Sequence, residues 1–253
     1  MSARTPGRHE LGQNFIVDRG TIERIVALTG RTDGPIVEWG SGGGSLTIPL
    51  ARLGRPVTGI ELDPREACRL QRRVGPHVCI SEGDILRHAP PRGSTVVSNV
   101  PFHLTTPILR HLFACTGWQE AVLLTQWEVA RKRAGVGGAT QLTAQWWPWY
   151  DVHLDSRVPA SAFRPRPSVD GGILSVARRE RPLVPTQQRA SYQRWVRQVF
   201  VGPGRGLPDI LARSGRLAPS QSQAFSDRHQ LTRRHLPRDL DADQWAEAFE
   251  LSR

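Results

Sequence analysis

The stretch Pro35-Ile36-Val37-Glu38-Trp39-Gly40-Ser41-Gly42-Gly43-Gly44-Ser45 runs from an apolar segment straight into glycines. A short apolar run closed by a turn signal predicts a buried strand. The glycines behind it predict a turn where backbone can approach a ligand that a Cβ would exclude. Ser45 is then expected to cap a helix that buries Leu46, Leu50 and Leu53 on one face and stops at Gly54. Val57-Thr58-Gly59-Ile60, Val78-Cys79-Ile80-Ser81 and Thr95-Val96-Val97-Ser98 read as the next three strands, and Pro64 is placed to begin a helix. This alternation predicts an α/β fold with a mainly parallel sheet.

Outward from that core, Thr21 to Leu28 has helical spacing and Gly30 to end it, and Trp127 to Arg133 also reads as helix. Ala121 to Thr125, Gln141 to Trp146 and Gly171 to Val176 read as further strands. Beyond Arg178 the texture becomes Arg-rich and turn-rich, with Tyr192, Trp195, Val196 and Val199 at helical spacing. Two domains follow: residues 1–177 as the α/β domain and 178–253 as a small all-helical one, the latter with 14 arginines against 8 acidic residues.

The whole chain of 253 residues has 34 basic and 23 acidic residues, a formal charge of +11. That balance points to a polyanionic partner, nucleic acid first. Lys132 is the one lysine. A GC-rich genome explains the Arg/Lys ratio as well as phosphate recognition does, but it does not explain the net charge. Cys68, Cys79 and Cys115 are odd in number and lack CxxC spacing, which argues against disulfides and zinc and for small core residues in a reducing cytosol. No metal site is expected. No apolar run approaches the ~20 residues of a membrane span, so the expected location is cytoplasmic. Trp146, Trp147 and Trp149 are expected to pack in a core or between domains rather than stack on RNA.

The chemistry sits just past the strand ends, the edge of an open α/β sheet where ligands bind. Gly40-x-Gly42-x-Gly44 followed by Glu61, 21 residues after Gly40, suits a ribose-bearing cofactor, and a nicotinamide dinucleotide would use the same geometry. The third glycine of the dinucleotide fingerprint is replaced by Ser45. Gly83-Asp84 adds a carboxylate able to accept from an adenine amine. Two carboxylates and a glycine turn without a phosphate grip describe S-adenosylmethionine better than NAD.

Asn99-Val100-Pro101-Phe102 then suggests the substrate. An adenine exocyclic amine is a poor nucleophile, because its lone pair is delocalised into the ring. Acceptors on its two hydrogens, the Asn99 amide oxygen and the Val100 carbonyl, would turn that lone pair toward an electrophilic methyl. Pro101 stiffens the loop, and Phe102 offers a ring for the base to stack on.

Gly12-Gln13-Asn14-Phe15-Ile16, Glu38 to Gly44, Glu61, Gly83-Asp84-Ile85-Leu86, Asn99-Val100-Pro101-Phe102 and Phe163-Arg164-Pro165-Arg166-Pro167-Ser168-Val169 together resemble the rRNA adenine dimethyltransferase superfamily. Within it the chain is similar to the Erm 23S rRNA methyltransferases of macrolide resistance. The resemblance implies a Rossmann-like methyltransferase domain, with residues 1–17 contributing to the cofactor site, followed by a helical RNA-binding domain. It implies that Asn14, Ile16, Gly40, Gly42, Glu61, Asp84, Ile85 and Asn99 hold S-adenosylmethionine, and that Asn99, Val100, Pro101 and Phe102 form the catalytic loop. The implied substrate is an unpaired adenine in domain V of free or nascent 23S rRNA, with no obligate protein partner. Many relatives carry tyrosine where this chain has Phe102, so stacking rather than a hydroxyl is the function expected of that ring.

The housekeeping small-subunit rRNA dimethyltransferase shares these motifs, and Gln126 to Gly135 with the Trp-rich segment after it look more like the resistance branch. A non-catalytic RNA-binding relative is a second alternative, against which the intact Asn99 loop argues. A NAD-dependent dehydrogenase is a third.

Overall fold

The computed structural model describes residues 14–253. In chain order, the first half comprises β1 (Phe15–Ile16), α1 (Arg19–Thr29), β2 (Ile36–Trp39), α2 (Thr47–Ala51), β3 (Val57–Glu61), α3 (Pro64–Gln71), β4 (Val78–Glu82), β5 (Ser94–Asn99), α4 (Thr105–Ala114), β6 (Trp118–Gln126) and α5 (Trp127–Arg133). The second half comprises α6 (Gln141–Trp146), β7 (Tyr150–Val158), β8 (Phe163–Arg164), β9 (Gly171–Arg178), α7 (Arg189–Val201), α8 (Leu207–Arg213), α9 (Pro219–Arg228) and α10 (Ala242–Leu251).

Seven strands form one sheet in the order β4-β3-β2-β5-β6-β9-β7. β2 to β6 are parallel to their neighbours, and β9 runs antiparallel to β6. All four residues of β2 are buried, as a central strand covered on both faces requires. From β2 the chain adds β3 and β4 on one side, then returns to lay β5 and β6 on the other. The carboxyl ends of β2 and β5 therefore flank the point where strand order reverses, the preferred ligand crevice of such sheets.

The predicted strands and the first helix form, with ends shifted by one to three residues. Three expectations are corrected. Gln141–Trp146 is a helix, because the Thr140 side chain caps it by accepting from Thr143 N–H, and its buried face packs on α7. Ser45 is not the cap of α2: the N-cap is Leu46, in helical conformation without a side-chain hydrogen bond, while Thr47 turns its hydroxyl to Glu38. Cys68 and Cys79 are exposed, on α3 and on the sheet-edge strand β4, and only Cys115 is half-buried.

The molecule divides into two compact units, one running to Ala130 and including His153–Ala177, the other comprising Arg131–Val152 and Arg178–Arg253. Residues 131–152, which the sequence pattern groups with the α/β domain, belong by contact to the second unit. The reason is local: Tyr192 Oη donates to the Ala144 carbonyl, and the Gln145 and Gln193 side-chain amides each donate to the other residue's backbone. Trp149 sits edge-on to Tyr192 with ring centroids 5.4 Å apart, Tyr192 edge-on to Phe249 at 5.2 Å, and Trp195 edge-on to Trp245 at 5.6 Å. Such edge-to-face contacts between buried rings build the core of this unit, and Trp149 is a packing residue, as expected. With 131–152 included, the second unit carries 17 basic and 9 acidic residues.

Among the described residues no helix is long and apolar enough to cross a membrane.

Candidate active site

The site begins in the turn between β2 and α2. Gly40, Gly42 and Gly44 have φ of +83°, +49° and +86°, a conformation that costs other L-residues about 1–2 kcal/mol each. A Cβ on Gly44 would lie 2.4 Å from Leu70, whereas one on Gly40 would meet nothing within 4 Å. Gly44 thus serves packing, and Gly40 leaves open space. Gly42 N–H donates to Glu61 Oε2 (2.7 Å) and Asp63 N–H to Glu61 Oε1 (3.0 Å), so two backbone groups hold the buried Glu61 carboxylate.

The Asn99 loop closes the opposite wall. Val100 N–H donates to the Leu124 carbonyl (2.9 Å), which carries the chain past the end of β5 beside β6. Asn99 Nδ2 donates to the Asn14 carbonyl (2.7 Å). Beyond Pro101 a single 3₁₀ turn, Phe102–Leu104, leads into α4. The buried Thr105 hydroxyl lies 3.0 Å from the Phe102 carbonyl, to which it donates, and 2.8 Å from the Thr125 hydroxyl. The ring of Phe102 meets the edge of Phe163 at 6.2 Å. Phe163 is fully buried on β8, in register with Ile16 of β1.

One cavity joins these walls, enclosing about 60 Å³ and lined by Asn14, Ile16, Gly40, Gly42, Asn99, Val100, Pro101 and Phe102 among the expected residues. Glu61 adjoins it through Gly42. Asp84 and Ile85 do not line it; they lie past the end of the neighbouring β4, where Asp84 Oδ1 accepts from Leu86 N–H at 2.9 Å. Beyond it, Glu61 ends β3, and Asp84 follows the end of the adjacent β4. Gly12 and Gln13 of the N-terminal motif fall outside the described residues, as does most of the segment 1–17.

Phe15, Glu38, Ser41, Ser45 and Leu46, none of them among the expected site residues, also line the cavity. Phe15 covers Gly42 closely enough that a Cβ there would lie 3.1 Å from its ring. Glu38 is the chemically significant omission. Its carboxyl is buried and accepts from the Thr47 hydroxyl. Burial pushes its pKa up to about 8, against the Thr47 hydrogen bond, with nearby Glu61 adding to the rise. Its signal was visible as a carboxylate inside an otherwise apolar strand, an arrangement that carries a desolvation cost and so asks for a reason.

Glu38, Glu61 and Asp84 give this sheet edge three carboxyl groups. Glu61 and Asp84 would repel a pyrophosphate, and the three together suit a cofactor that carries ammonium and sulfonium groups, a ribose diol and an adenine amine, the positive charge favouring ionisation of Glu38. The residues therefore fit S-adenosylmethionine. Among the described residues no group of three or more His, Cys, Asp or Glu side chains could hold a metal ion.

Comparison with known proteins agrees. The family model described as ribosomal RNA adenine dimethylase matches residues 4–253. The chain is 50% identical to the mycinamicin-resistance protein MyrB of Micromonospora griseorubida, over 98% of this chain and 79% of that protein. It is 49% identical to an rRNA adenine N-6-methyltransferase of Corynebacterium diphtheriae, over 85% of this chain and 86% of the relative. Among solved structures, that of the 23S rRNA methyltransferase ErmE superposes with a TM-score of 0.86 at 30% identity, covering 95% of this chain and all of the other.

Proposed function

The chain belongs to the ribosomal RNA adenine dimethylase family, and from that premise we propose that it methylates the N6 amine of one adenine in domain V of 23S rRNA. The modification confers resistance to macrolides, lincosamides and streptogramin B. The substrate is free or nascent rRNA with the target base unpaired, since single-stranded bases are the ones a protein can extrude and read. The reaction runs in the cytoplasm and needs no obligate protein partner.

The observation that carries this reading is the hydrogen bond from Asn99 Nδ2 to the Asn14 carbonyl. It occupies the donor end of the side chain, so Oδ1 is the end left to accept. S-Adenosylmethionine, when bound, supplies the electrophilic methyl. Asn99 Oδ1 and the Val100 carbonyl accept from the two hydrogens of the adenine amine and turn its lone pair into the cavity. Pro101 restricts the loop. No side chain need remove a proton first, because the nitrogen sheds it once it has become cationic. Catalysis is then positioning and electrostatics. On the cofactor side, Asn14, Ile16, Gly40 and Gly42 surround the reacting end, Glu61 takes the ribose hydroxyls, and Asp84, with Ile85 beside it, takes the adenine.

Phe102 provides the face on which the target base stacks, its backbone carbonyl held by the Thr105 hydroxyl and its ring in T-shaped contact with Phe163. Stacking of a base on an aromatic side chain is worth about 1–3 kcal/mol. Phe102→Ala is therefore expected to lower kcat/KM for RNA about ten- to a hundredfold, while Phe102→Tyr stays within about threefold of the parent. Steady-state methylation of a domain V transcript checks both.

Primer extension on rRNA from cells expressing the protein tests the function itself. The expected result is a modification-dependent stop at one adenine of domain V in 23S rRNA, together with macrolide resistance. A stop confined to small-subunit rRNA would reassign the chain to the housekeeping activity.

A further inference from the structure

The arginines of the second unit sort by what they touch. Arg179, Arg213, Arg228, Arg238 and Arg253 each face a carboxylate, and Arg178 and Arg189 lie over aromatic rings. Arg181, Arg197, Arg233 and Arg234 are exposed with no acidic partner among the described residues, and so are Arg194 and Arg216. Arg194 and Arg216 line one groove of about 590 Å³, with Arg253 also on its wall and no Asp or Glu among its lining residues. Ser191, Arg194 and Gln198 recur at intervals of three and four along α7, so they share one helix face.

Arg216 is held there at a conformational cost. Its φ is +61°, the left-handed region that disfavours any residue with a Cβ. The strain is locked in from both sides: Trp195 Nε1–H donates to the Gly215 carbonyl (2.8 Å), and Leu217 N–H donates to the Leu211 carbonyl (3.3 Å). Trp195 is also the buried floor of the groove, together with Phe249, each 5% exposed. The floor is closed to stacking. What the groove presents is two unneutralised guanidinium forks flanked by a hydroxyl and an amide, which matches phosphate oxygens rather than base edges.

We propose that this groove seats the sugar-phosphate backbone of folded rRNA, with Arg194 and Arg216 each facing a phosphate. The choice of RNA as occupant rests on the reading of the chain as an rRNA methyltransferase and on the charge of this unit, and the contact is independent of base sequence.

The test uses the full-length protein, a domain V transcript of 23S rRNA and an unrelated duplex RNA of equal length, with fluorescence anisotropy across a salt series. Arg194→Gln with Arg216→Gln is expected to weaken binding of both RNAs about tenfold at 150 mM salt and to lower the log–log salt slope by about 2. Cofactor affinity by calorimetry stays at the parental value. Arg216→Gly separates charge from folding: it removes one phosphate contact while suiting the left-handed backbone, so RNA affinity falls although Tm is unchanged or higher. Parental affinity and slope in the double variant would overturn the proposal. So would parental RNA binding combined with lost association to a ribosomal protein, which would make the groove a protein site. If the parent binds both RNAs but leaves domain V unmethylated, the proposed function fails, and the duplex arm still decides the groove.

Discussion

Asn99→Ala is expected to lower kcat for RNA methylation by at least about 10²–10³-fold, the range seen when one preorganised hydrogen-bonding group is removed from a reacting centre. Its cofactor Kd should stay within about threefold. The split follows from geometry. Asn99 Oδ1 is the acceptor beside the reacting end of the cavity, whereas the carboxylates at the ends of β3 and β4 lie at other strand ends and do not depend on it. Truncation does free the Asn14 carbonyl, but that residue is only partly buried, so water can replace the lost donor. Asn99→Asp distinguishes orientation from mere acceptance. Aspartate keeps an acceptor but has no hydrogen for Asn14, so two oxygens would face each other where a 2.7 Å hydrogen bond now stands. Neighbouring Phe15 and Ile16 on β1 line the cavity, so this variant is expected to lose cofactor affinity as well as turnover. Calorimetry with S-adenosylhomocysteine and single-turnover kinetics read the two effects separately. Turnover of Asn99→Ala within tenfold of the parent would remove the amine-orienting role.

How much of this site is legible in the sequence depends on the range of the interaction. The β2 strand and its glycine turn are readable because burial demands an unbroken apolar run and the turn demands positive φ; both constraints act within a few residues. The Asn99-x-Pro-aromatic loop is readable for the same reason. The bond that aims Asn99 spans 85 positions to Asn14 and involves a carbonyl, so no side-chain identity announces it. β7 carries Asp151, His153, Asp155, Ser156 and Arg157 in a strand at the edge of the sheet. An edge strand with polar residues has no clear apolar alternation. α6 is preceded by Gly137-Gly138, ends on Trp146 and is followed by Trp147 and Trp149, which reads as a strand. Only Thr140 as cap and Tyr192, 48 residues away from Ala144, reveal the helix. Ser45 has the right residue type for a cap, but the helix begins one residue further on, at Thr47 behind Leu46.

The buried Glu38 carboxyl gives the protein a titration with two consequences. Glu38 has a folded-state pKa of about 8 against an ordinary 4.5, burial being the first cause. Below pH 4.5 it is protonated in both the folded and the unfolded chain and contributes no pH dependence. As pH rises from 4.5 to 8 the unfolded chain loses its proton and the folded one retains it. Stability therefore falls through this window, at up to about 1.4 kcal/mol per pH unit and by a few kcal/mol in all, and levels off above pH 8. Glu38→Gln keeps the neutral shape and cannot ionise, so its urea midpoint is expected to exceed that of the parent by a margin that widens from pH 5 to pH 8. The second consequence concerns the cofactor. A cationic ligand beside Glu38 favours the carboxylate, so the complex holds fewer protons than the free protein and affinity rises as pH increases from 6 to 8. Calorimetric titrations in buffers of different ionisation enthalpy are expected to show up to one proton released per cofactor bound at pH 7. In Glu38→Gln this release should vanish, and affinity at pH 8 should drop about tenfold. Binding by the parent that is flat from pH 6 to 8, with no proton released, would mean that Glu38 stays neutral in the complex and acts only through its hydrogen bond to Thr47.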